Sequence, residues 1–256
     1  MELKFRGKTA SLRGFKRLAG WASRDFADST RFWLNLGKRK NLDREFASCR
    51  SLENYYHFSK KVIGLMQHQP EILGLLEHVA RISPRNVCEI GTFQGGTNFL
   101  IAQALPEVEL MIGLDLFVQH TAKLRHFCRP NRELHYLNGS SQEAATVARV
   151  ESVLGGKKLD FLFIDGDHNY DGVKLDFLNY RHLVRDGGMI AFHDIVPDHR
   201  TRFGRDTKMW AGDVPVFWKR IKQAYPHAEF IKDPEQDGLG IGVLEYSAAT
   251  TLPGDL

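Results

Sequence analysis

From Asn86 towards the C-terminus, short apolar runs alternate with amphipathic stretches, and this alternation constrains the fold more than any other feature of the chain. The apolar runs have the length and composition of buried strands, and the stretches between them have helical spacing. Strands that alternate with helices predict a parallel sheet covered by helices on both faces. The apolar runs are NVCEI, LMIGLDL, ELHYL, LDFLFID and GGMIAFHD.

The ends of this region have a different pattern. PHAEFIK and GLGIGVLEY resemble strands, and DPEQDG between them has the composition of a hairpin turn. Upstream, SLENYYHFSKKVIGLMQ (51–67) and PEILGLLEHVARI (70–82) are predicted helices. We therefore predict an α/β domain over 51–256: a Rossmann-like, doubly wound sheet of seven strands, mostly parallel, with an antiparallel last strand.

Residues 1–50 form a predicted helical arm with a strong positive charge. The arm holds thirteen Lys and Arg against five acids, whereas the whole chain has a formal net charge of +4. Aromatic residues such as Phe32 and Trp33 are interleaved with the cations. Such an arm could contact an anionic membrane surface, nucleic acid or an acidic partner chain. Alternatively, its aromatic side chains pack on its own domain or a second subunit while the cations stay solvated.

Targeting signals and cysteine motifs are absent from the sequence. No apolar stretch approaches the roughly eighteen residues of a membrane-spanning helix, and the first thirty residues lack the apolar block and small-residue cleavage site of a signal peptide. We therefore expect a cytoplasmic protein. Cys49, Cys88 and Cys128 form no Cys-x-x-Cys pair, so reduced thiols are expected rather than a zinc or redox site.

Ligands of a doubly wound sheet bind beyond the carboxyl ends of its strands. The first strand is followed by EIGTFQGG, whose glycines allow a ligand to approach the backbone and the start of a helix. The spacing differs from the dinucleotide fingerprint G-x-G-x-x-G, and the acid before the first glycine favours a ligand with a cationic centre. A glycine turn with a capping acid is the alternative. The candidate cofactor-binding residues are Glu89, Gly91, Thr92, Gly95 and Gly96.

The next two strand ends offer further candidates. Asp115 ends the second strand at about the distance at which a carboxylate binds the hydroxyls of a nucleotide ribose. Ser140, Ser141 and Gln142 follow the third strand and could hydrogen-bond an adenine. The alternatives are ordinary turn and helix-capping roles, for Asp115 after its strand and for the serines before the following helix.

The stretch FLFIDGDHNYDGVKLD places an apolar strand directly before Asp165-Gly166-Asp167-His168. A second strand, GGMIAFHD, ends in His193 and Asp194. Neighbouring strands lie about 4.8 Å apart, so Asp165 and Asp194 are expected within a few ångströms of one another. Two carboxylates so close require a compensating cation, and oxygen ligands favour Mg²⁺.

The sequence resembles the class I S-adenosylmethionine-dependent methyltransferases over roughly Gln67 to Tyr246. More narrowly, it resembles the branch that contains the macrolide-sugar O-methyltransferases and the cephalosporin-hydroxylase-like proteins. The D-G-D-H and H-D motifs are the most specific part of the likeness. It implies an enzyme that transfers a methyl group from S-adenosylmethionine to a hydroxyl of a sugar, a glycosylated natural product or a polysaccharide. The motifs are EIGTFQGG, GLDL, NGSSQ, FLFIDGDHNYDGVKLDF, GGMIAFHD and DVPVFW.

The resemblance also implies a metal held at the strand ends, with Asp165, His193 and Asp194 as candidate ligands. Relatives with an established metal site usually carry an acid where this chain has His193. Imidazole suits Mn²⁺, Fe²⁺ or Ni²⁺ better than Mg²⁺, so Mn²⁺ is the alternative. In a metal-free interpretation, Asp165 faces the sulfonium of the donor, His193 is an ordinary hydrogen-bonded histidine and Asp194 caps a loop.

Methyl transfer to a hydroxyl needs a base within hydrogen-bond reach. The resemblance assigns this role to His168, whose intrinsic pKa suits it. Asp167 is the alternative base, since some relatives use an acid there. Relatives also place the segment around Gln69 near donor and acceptor, although a helix-capping role explains that residue equally well.

The acceptor is not defined by any motif. The polar segment from Val196 to Asp213 is a candidate lid, and His199, Arg200, Arg202, Arg205 and Trp210 within it are candidate acceptor contacts. The expected partners are a small-molecule acceptor and further copies of the chain, whereas nucleic acid is not expected. The alternative functions are a nucleotide-binding scaffold without turnover and an NAD-linked oxidoreductase, which the glycine spacing and Glu89 disfavour.

Overall fold

The computed structural model describes residues 3–5, 8–10, 12–207, 209–254 and 256, with side chains from Leu18 onward. The chain begins with an antiparallel strand pair followed by two helices. Asn35 separates the helices, and its Oδ1 accepts the backbone N–H of Lys38 at 2.9 Å, which caps the second helix. These elements are β1 (Leu3–Phe5), β2 (Lys8–Ala10), α1 (Leu12–Leu34) and α2 (Leu36–Ser48).

The predicted helix over 51–67 ends earlier than expected. α3 (Leu52–Phe58) continues into a π-helical turn, Ser59–Ile63, and stops at Gly64. Gly64 has φ +117, a conformation that is easily adopted only by glycine. A short irregular segment follows before α4 (Gln69–Ala80) begins.

The alternating elements follow in the predicted order. The helix expected over FVQHTAKLRHF is shorter than its amphipathic stretch, because Asp115 Oδ1 and Asn138 Oδ1 accept the backbone N–H groups of Phe117 and Val118 and hold them outside the helix. The elements are β3 (Asn86–Ile90), α5 (Gly96–Ala104), β4 (Leu110–Asp115), α6 (Thr121–His126), β5 (Glu133–Asn138), α7 (Ala144–Leu154), β6 (Leu159–Ile164), α8 (Tyr170–Tyr180), β7 (Val184–His193), α9 (His199–Phe203), α10 (Val214–Ile221), β8 (His227–Phe230) and β9 (Ile241–Glu245).

Seven strands form one sheet in the order β5-β4-β3-β6-β7-β9-β8. β3 to β7 are mutually parallel, and β9 runs antiparallel between β7 and β8. The predicted doubly wound, mostly parallel α/β sheet with an antiparallel last strand is confirmed. The winding direction reverses between β3 and β6, so a ligand site is expected beyond the carboxyl ends of these two strands.

The central strands are buried on both faces. In β6, Phe161, Leu162 and Phe163 have no exposed surface. Leu162 packs in one apolar cluster with α8 and α10, and Phe161 and Phe163 pack in a second with α4 and α5. Each such side chain contributes roughly 2 kcal/mol of burial free energy. The result is a rigid sheet that fixes the positions of the residues at its strand ends.

The arm packs on this domain through aromatic side chains. Phe32 is 7% exposed, and its ring lies 5.2 Å from that of His126 and 5.9 Å from that of Phe127. Asp25 Oδ1 accepts the backbone N–H of His120 at 2.5 Å, which fixes the middle of α1. No helix in the described part of the chain is long and apolar enough to span a bilayer.

Candidate active site

The turn between β3 and α5 requires glycine at two positions. Gly91 has φ +88, and a Cβ there would lie 1.8 Å from the backbone oxygen of Asp165. A Cβ on Gly96 would lie 2.3 Å from the backbone nitrogen of Leu65. Gly91 therefore allows the ends of β3 and β6 to approach one another, and Gly96 allows the segment before α4 to approach α5.

Asp115, at the end of β4, stabilises the same turn through hydrogen bonds. Its Oδ2 accepts the backbone N–H of Phe93 at 2.8 Å, and its Oδ1 accepts that of Phe117 at 2.9 Å. Burial raises the pKa of Asp115, and these amide donors oppose the rise. The carboxylate therefore orders the loop as well as facing the cavity beyond it.

The loop after β5 is tied to the residues that follow β6. Ser141 Oγ donates to Asp176 Oδ1 at 2.6 Å, and Gln142 Nε2 donates to Asp167 Oδ2 at 3.0 Å. Asp167 Oδ1 accepts from the backbone N and side-chain Nδ2 of Asn169 at 3.0 and 2.6 Å. These bonds hold the carboxylate of Asp167 in place, and its role as the alternative base stays a prediction.

These loops surround a cavity of about 510 Å³ beyond the carboxyl ends of β3, β4 and β6, which we name the central cavity. Trp21 of α1 also lines it, so the arm contributes to its wall. No sequence pattern distinguishes Trp21 from the other aromatic residues of the arm, because its position depends on how α1 crosses the domain. The predicted residues that line the central cavity are Gly91, Asp115, Ser140, Ser141, Gln142, Asp165 and Asp167.

Four predicted cofactor-binding residues, Glu89, Thr92, Gly95 and Gly96, do not line the cavity formed by the described residues. Gly95, with φ +83, starts α5, and Thr92 Oγ1 donates to the backbone oxygen of Glu89 at 3.3 Å. Burial, and then the charge of Asp165, raise the pKa of Glu89 to about 8. The expected negative charge beside the glycine turn is therefore largely neutralised near pH 7.

Gln69 also lies outside the cavity wall. Its Nε2 donates to Glu53 Oε1 at 3.0 Å. Gln67 is 3% exposed instead, and its Nε2 donates to Asp165 Oδ2 at 3.0 Å. The irregular segment after Gly64 determines which glutamine points inward, and the pattern of a continuous helix conceals it. Gln67 is thus a site residue that the sequence analysis missed.

Four side chains meet where β6 and β7 end, and we name them the acid–imidazole cluster. His193 Nδ1 lies 3.2 Å from Asp165 Oδ1 and 3.1 Å from Asp194 Oδ2. His168 Nε2 lies 3.5 Å from Asp194 Oδ2 and 3.8 Å from Asp165 Oδ1. The structure thus brings Asp165 and Asp194 together as the two strand ends predicted, with an imidazole on either side.

Backbone contacts hold the cluster in place. Asp194 adopts the left-handed conformation with φ +60, and its Oδ1 accepts the backbone N–H of Leu239 at 3.1 Å. His168 Nδ1 donates to the backbone oxygen of Trp210 at 2.7 Å, and the two rings stack with centroids 5.2 Å apart. Because Nδ1 carries this proton, Nε2 of His168 is the atom that faces the acids.

The imidazoles carry positive charge in this arrangement. Burial disfavours the imidazolium of His168, but the Asp165 and Asp194 carboxylates outweigh burial and raise its pKa to about 9. The pKa of His193 is also raised, against burial, by the same two acids. Burial alone would raise the pKa of Asp165, yet His193 and His168 lower it overall. The carboxylates can therefore coexist at neutral pH, compensated by two imidazolium ions.

Three members of the cluster have the geometry of a cation site. Asp165, His168 and Asp194 each offer a ligand atom, and these atoms lie within 4.8 Å of one another. Two carboxylates and an imidazole fit Mg²⁺ or Mn²⁺, with the imidazole favouring Mn²⁺. His193 Nδ1 also lies within 3.2 Å of both acids, and its Nε2 is buried without a partner among the described residues, so its role as a ligand stays a prediction.

The predicted lid from Val196 to Asp213 is partly ordered in the described residues. Asp198 Oδ1 accepts the backbone N–H of Thr201 at 2.8 Å, and its Oδ2 accepts that of Ala211 at 3.1 Å. The first bond caps the N-terminus of α9, and the second holds Ala211 so that the following chain lies beside His168. Trp210 remains 63% exposed, and its contact with an acceptor stays a prediction.

Sequence comparison finds a methyltransferase family. Residues 88–195 match the family model described as a methyltransferase domain. An uncharacterized protein, R132, of Acanthamoeba polyphaga mimivirus is 32% identical over 115 residues, which cover 41% of this chain and 49% of the viral protein. The chain thus spans about half the length of the curated relative it matches.

Structural comparison finds O-methyltransferases. An O-methyltransferase from Bacillus cereus, solved with S-adenosylhomocysteine, superposes with a TM-score of 0.54 at 15% identity, covering 78% of this chain and 93% of its own. A candidate caffeoyl-CoA O-methyltransferase from Staphylococcus aureus superposes with a TM-score of 0.55 at 16% identity, covering 82% and 99%. At such low identity these likenesses show the shared fold.

The seven-stranded sheet thus has the fold of these O-methyltransferase structures, and residues 88–195 within it match a methyltransferase domain. The narrower resemblance to macrolide-sugar O-methyltransferases and cephalosporin-hydroxylase-like proteins is tested by none of these matches and stays a prediction.

Proposed function

We propose that this protein is a methyltransferase that transfers the methyl group of S-adenosylmethionine to a hydroxyl of a small-molecule acceptor, with the assistance of a divalent cation. One observation carries the proposal: Asp165 lines the central cavity and also belongs to the three-residue cation group. A donor in the cavity and an acceptor oxygen at the cation group would therefore lie on two sides of one carboxylate. Such proximity is the main requirement of methyl transfer.

The central cavity has polar groups suited to a nucleoside. Asp115 lies at the end of β4, where a carboxylate can bind ribose hydroxyls, and Ser140 and Gln142 can hydrogen-bond a base. Trp21 offers an aromatic face to the same space. Asp165, with its lowered pKa, supplies a negative charge that suits a sulfonium. These features support S-adenosylmethionine as the ligand.

His168 is the proposed base, and Asp165 and Asp194 are then the proposed ligands of the cation, because Nε2 of His168 cannot bind a cation and accept a proton at the same time. Its Nδ1–H bond to Trp210 orients Nε2 towards Asp165 and Asp194. His168 accepts a proton only when neutral, and the two carboxylates that raise its pKa to about 9 are the groups that would bind the cation. We therefore expect the proton-accepting form when both carboxylates are engaged. A divalent cation, when bound, would orient the acceptor oxygen and lower its pKa.

The proposed acceptor is a sugar hydroxyl. The segment that borders His168 carries Trp210, an exposed aromatic ring stacked on the imidazole, and Arg205 is exposed on the same segment. An aromatic face beside hydrogen-bonding cations suits the apolar face and hydroxyls of a sugar ring. The resemblance to sugar O-methyltransferases supports the same class of acceptor.

Methyl transfer from labelled S-adenosylmethionine to a panel of glycosides and catechols tests this proposal. We expect label on a glycoside, stimulation by Mn²⁺ or Mg²⁺, and loss of turnover in His168→Ala with donor binding intact. Calorimetry with S-adenosylmethionine, S-adenosylhomocysteine and NAD should give binding for the first two alone.

Four results would count against parts of the proposal. Activity unchanged by chelator would favour compensation of the acids by His168 and His193 without a metal. Full activity of His168→Ala would remove its role as base. Transfer to catechols alone would remove the sugar. Donor binding without transfer to any hydroxyl would favour the scaffold function.

A further inference from the structure

A second cavity, separate from the central cavity, lies at the corner where α1 meets α2, and we name it the α1–α2 cleft. It has a volume of about 820 Å³ and is open to solvent on one side. The methyl-transfer chemistry proposed above uses none of its residues. It is lined by Asp28, Arg31, Phe32, Leu34, Asn35, Leu36, Lys38, Arg39, Leu42, Lys61, Val62 and Lys123.

The cleft is strongly cationic. Five of its described lining residues are Lys or Arg and one is an acid. Lys61 pairs with Glu45 at 2.8 Å, and Arg31 lies 4.0 Å from Asp28. The other three cations, Lys38, Arg39 and Lys123, have no carboxylate within ion-pair distance among the residues described. An anion in the cleft would relieve this excess of like charge.

Lys123 is the cation most affected by its surroundings. Burial lowers the pKa of its ammonium group, and Lys38 lowers it further, against the opposing effect of Asp28. Its Nζ donates to the backbone oxygen of Val62 at 3.4 Å. Lys123 therefore lies partly desolvated at the inner end of the cleft, where a phosphate oxygen would be a stronger partner than a carbonyl.

Apolar side chains complete the cleft. Phe32, Leu42 and Val62 are partly or fully buried and form its inner surface. Leu34 and Leu36 line the opening and are 77% and 57% exposed. An apolar lining with a cationic rim and protruding leucines matches a phospholipid surface, where phosphates meet hydrocarbon.

Charge decides between a lipid surface and a second copy of the chain. A symmetric dimer formed through this cleft would bring two copies of the same cationic surface together, and like charges across an interface are unfavourable. An anionic partner has the complementary charge. We propose that the α1–α2 cleft docks the protein on anionic phospholipid membranes, with headgroup phosphates among its cations and Leu34 and Leu36 inserted at the interface.

Sedimentation of the full-length protein with vesicles tests this proposal without any methyl donor. We expect binding to phosphatidylcholine vesicles that contain about one part in four of phosphatidylglycerol, and little binding to phosphatidylcholine alone. Binding should weaken steeply with added salt. Inorganic phosphate should compete only weakly, because it lacks the apolar part of the ligand.

Two sets of variants locate the surface. Arg31→Glu with Lys38→Glu should weaken vesicle binding about tenfold or more, and an acid at position 38 suits the first turn of α2, so folding should be retained. Leu34→Ser with Leu36→Ser should weaken vesicle binding about tenfold, because the two leucine side chains no longer insert into the membrane interface. Lys157→Glu with Lys219→Glu makes the same change in net charge at exposed positions elsewhere and should bind as the wild type does.

The proposal is overturned if the cleft variants and the control lose vesicle binding equally, which would indicate net charge alone. It is also overturned if wild-type protein ignores anionic vesicles, or if the cleft variants change only the molecular mass in solution, which would indicate a second copy. None of these three results bears on methyl transfer, which is measured with soluble acceptors.

Discussion

Gln67 Nε2 donates a hydrogen bond of 3.0 Å to Asp165 Oδ2. This contact joins the irregular segment before α4 to the carboxylate that lies between the central cavity and the acid–imidazole cluster. It leaves Asp165 Oδ1 facing His193 and His168. The position of a single carboxylate is therefore determined by two distant parts of the chain.

Replacing Gln67 should weaken cation binding. Gln67→Ala removes the donor that orients Asp165, so we expect Mn²⁺ affinity to fall about tenfold, measured by calorimetry. Gln69→Ala is the matched control, because Gln69 bonds to Glu53 instead. Equal effects of the two substitutions would show that Gln67 does not position Asp165.

The approach of Gly91 to Asp165 should make the turn intolerant of a side chain. We expect Gly91→Ala to lower the free energy of unfolding by about 3 kcal/mol or more and to abolish donor binding. Gly156→Ala controls for backbone strain, since Gly156 has φ +86 and nothing lies within 4 Å of an added Cβ. It should cost only about 1 kcal/mol. Chemical denaturation measures both variants, and similar losses of unfolding free energy in Gly91→Ala and Gly156→Ala would contradict the steric explanation.

The stability of the metal-free protein should fall as the pH rises. The pKa of His168 is raised from 6.5 to about 9 in the folded state, so its contribution is fully present below pH 6.5 and is lost as the pH rises through about 9. We expect the free energy of unfolding to fall by on the order of 2 kcal/mol across this pH range. The pKa of Asp165 is lowered instead, so this carboxylate affects stability only at acid pH and not between pH 6.5 and about 9.

Denaturation in chelator at a series of pH values measures this effect. His168→Gln should reduce the alkaline slope and leave the part that His193, whose pKa is also raised, contributes. His182→Gln, which removes an exposed histidine 3.3 Å from Glu151, should leave the slope unchanged. A slope retained in full in His168→Gln would assign the proton to another group of the cluster.

Trp21 should contribute to donor affinity, although it belongs to the arm. Because it lines the central cavity, Trp21→Ala should weaken S-adenosylhomocysteine binding about tenfold through lost aromatic contact. Phe26→Ala, at an arm position that is 75% exposed, should bind as the wild type does. Unchanged affinity in Trp21→Ala would exclude the arm from the donor site.

Local sequence determined the sheet and the residues at its strand ends. β3 and β6 are apolar over most of their buried lengths, with Glu89 as the buried exception in β3, and Gly91 and Asp165 follow from where such strands must stop. A strand that is apolar on both faces fits only the interior of the sheet, so the polar residues that follow it mark the edge of the sheet. The convergence of Asp165 and Asp194 could therefore be predicted from the sequence.

Tertiary packing determined which side chains complete the site. Gln67 replaces Gln69 because a π-helical turn ends at Gly64, and His168 joins the cation group because Trp210 fixes its ring from a distant loop. Trp21 reaches the central cavity only because α1 lies across the domain. Strand patterns are set by interactions between near neighbours in sequence, whereas these three positions depend on contacts between residues far apart in the chain, which no local pattern records.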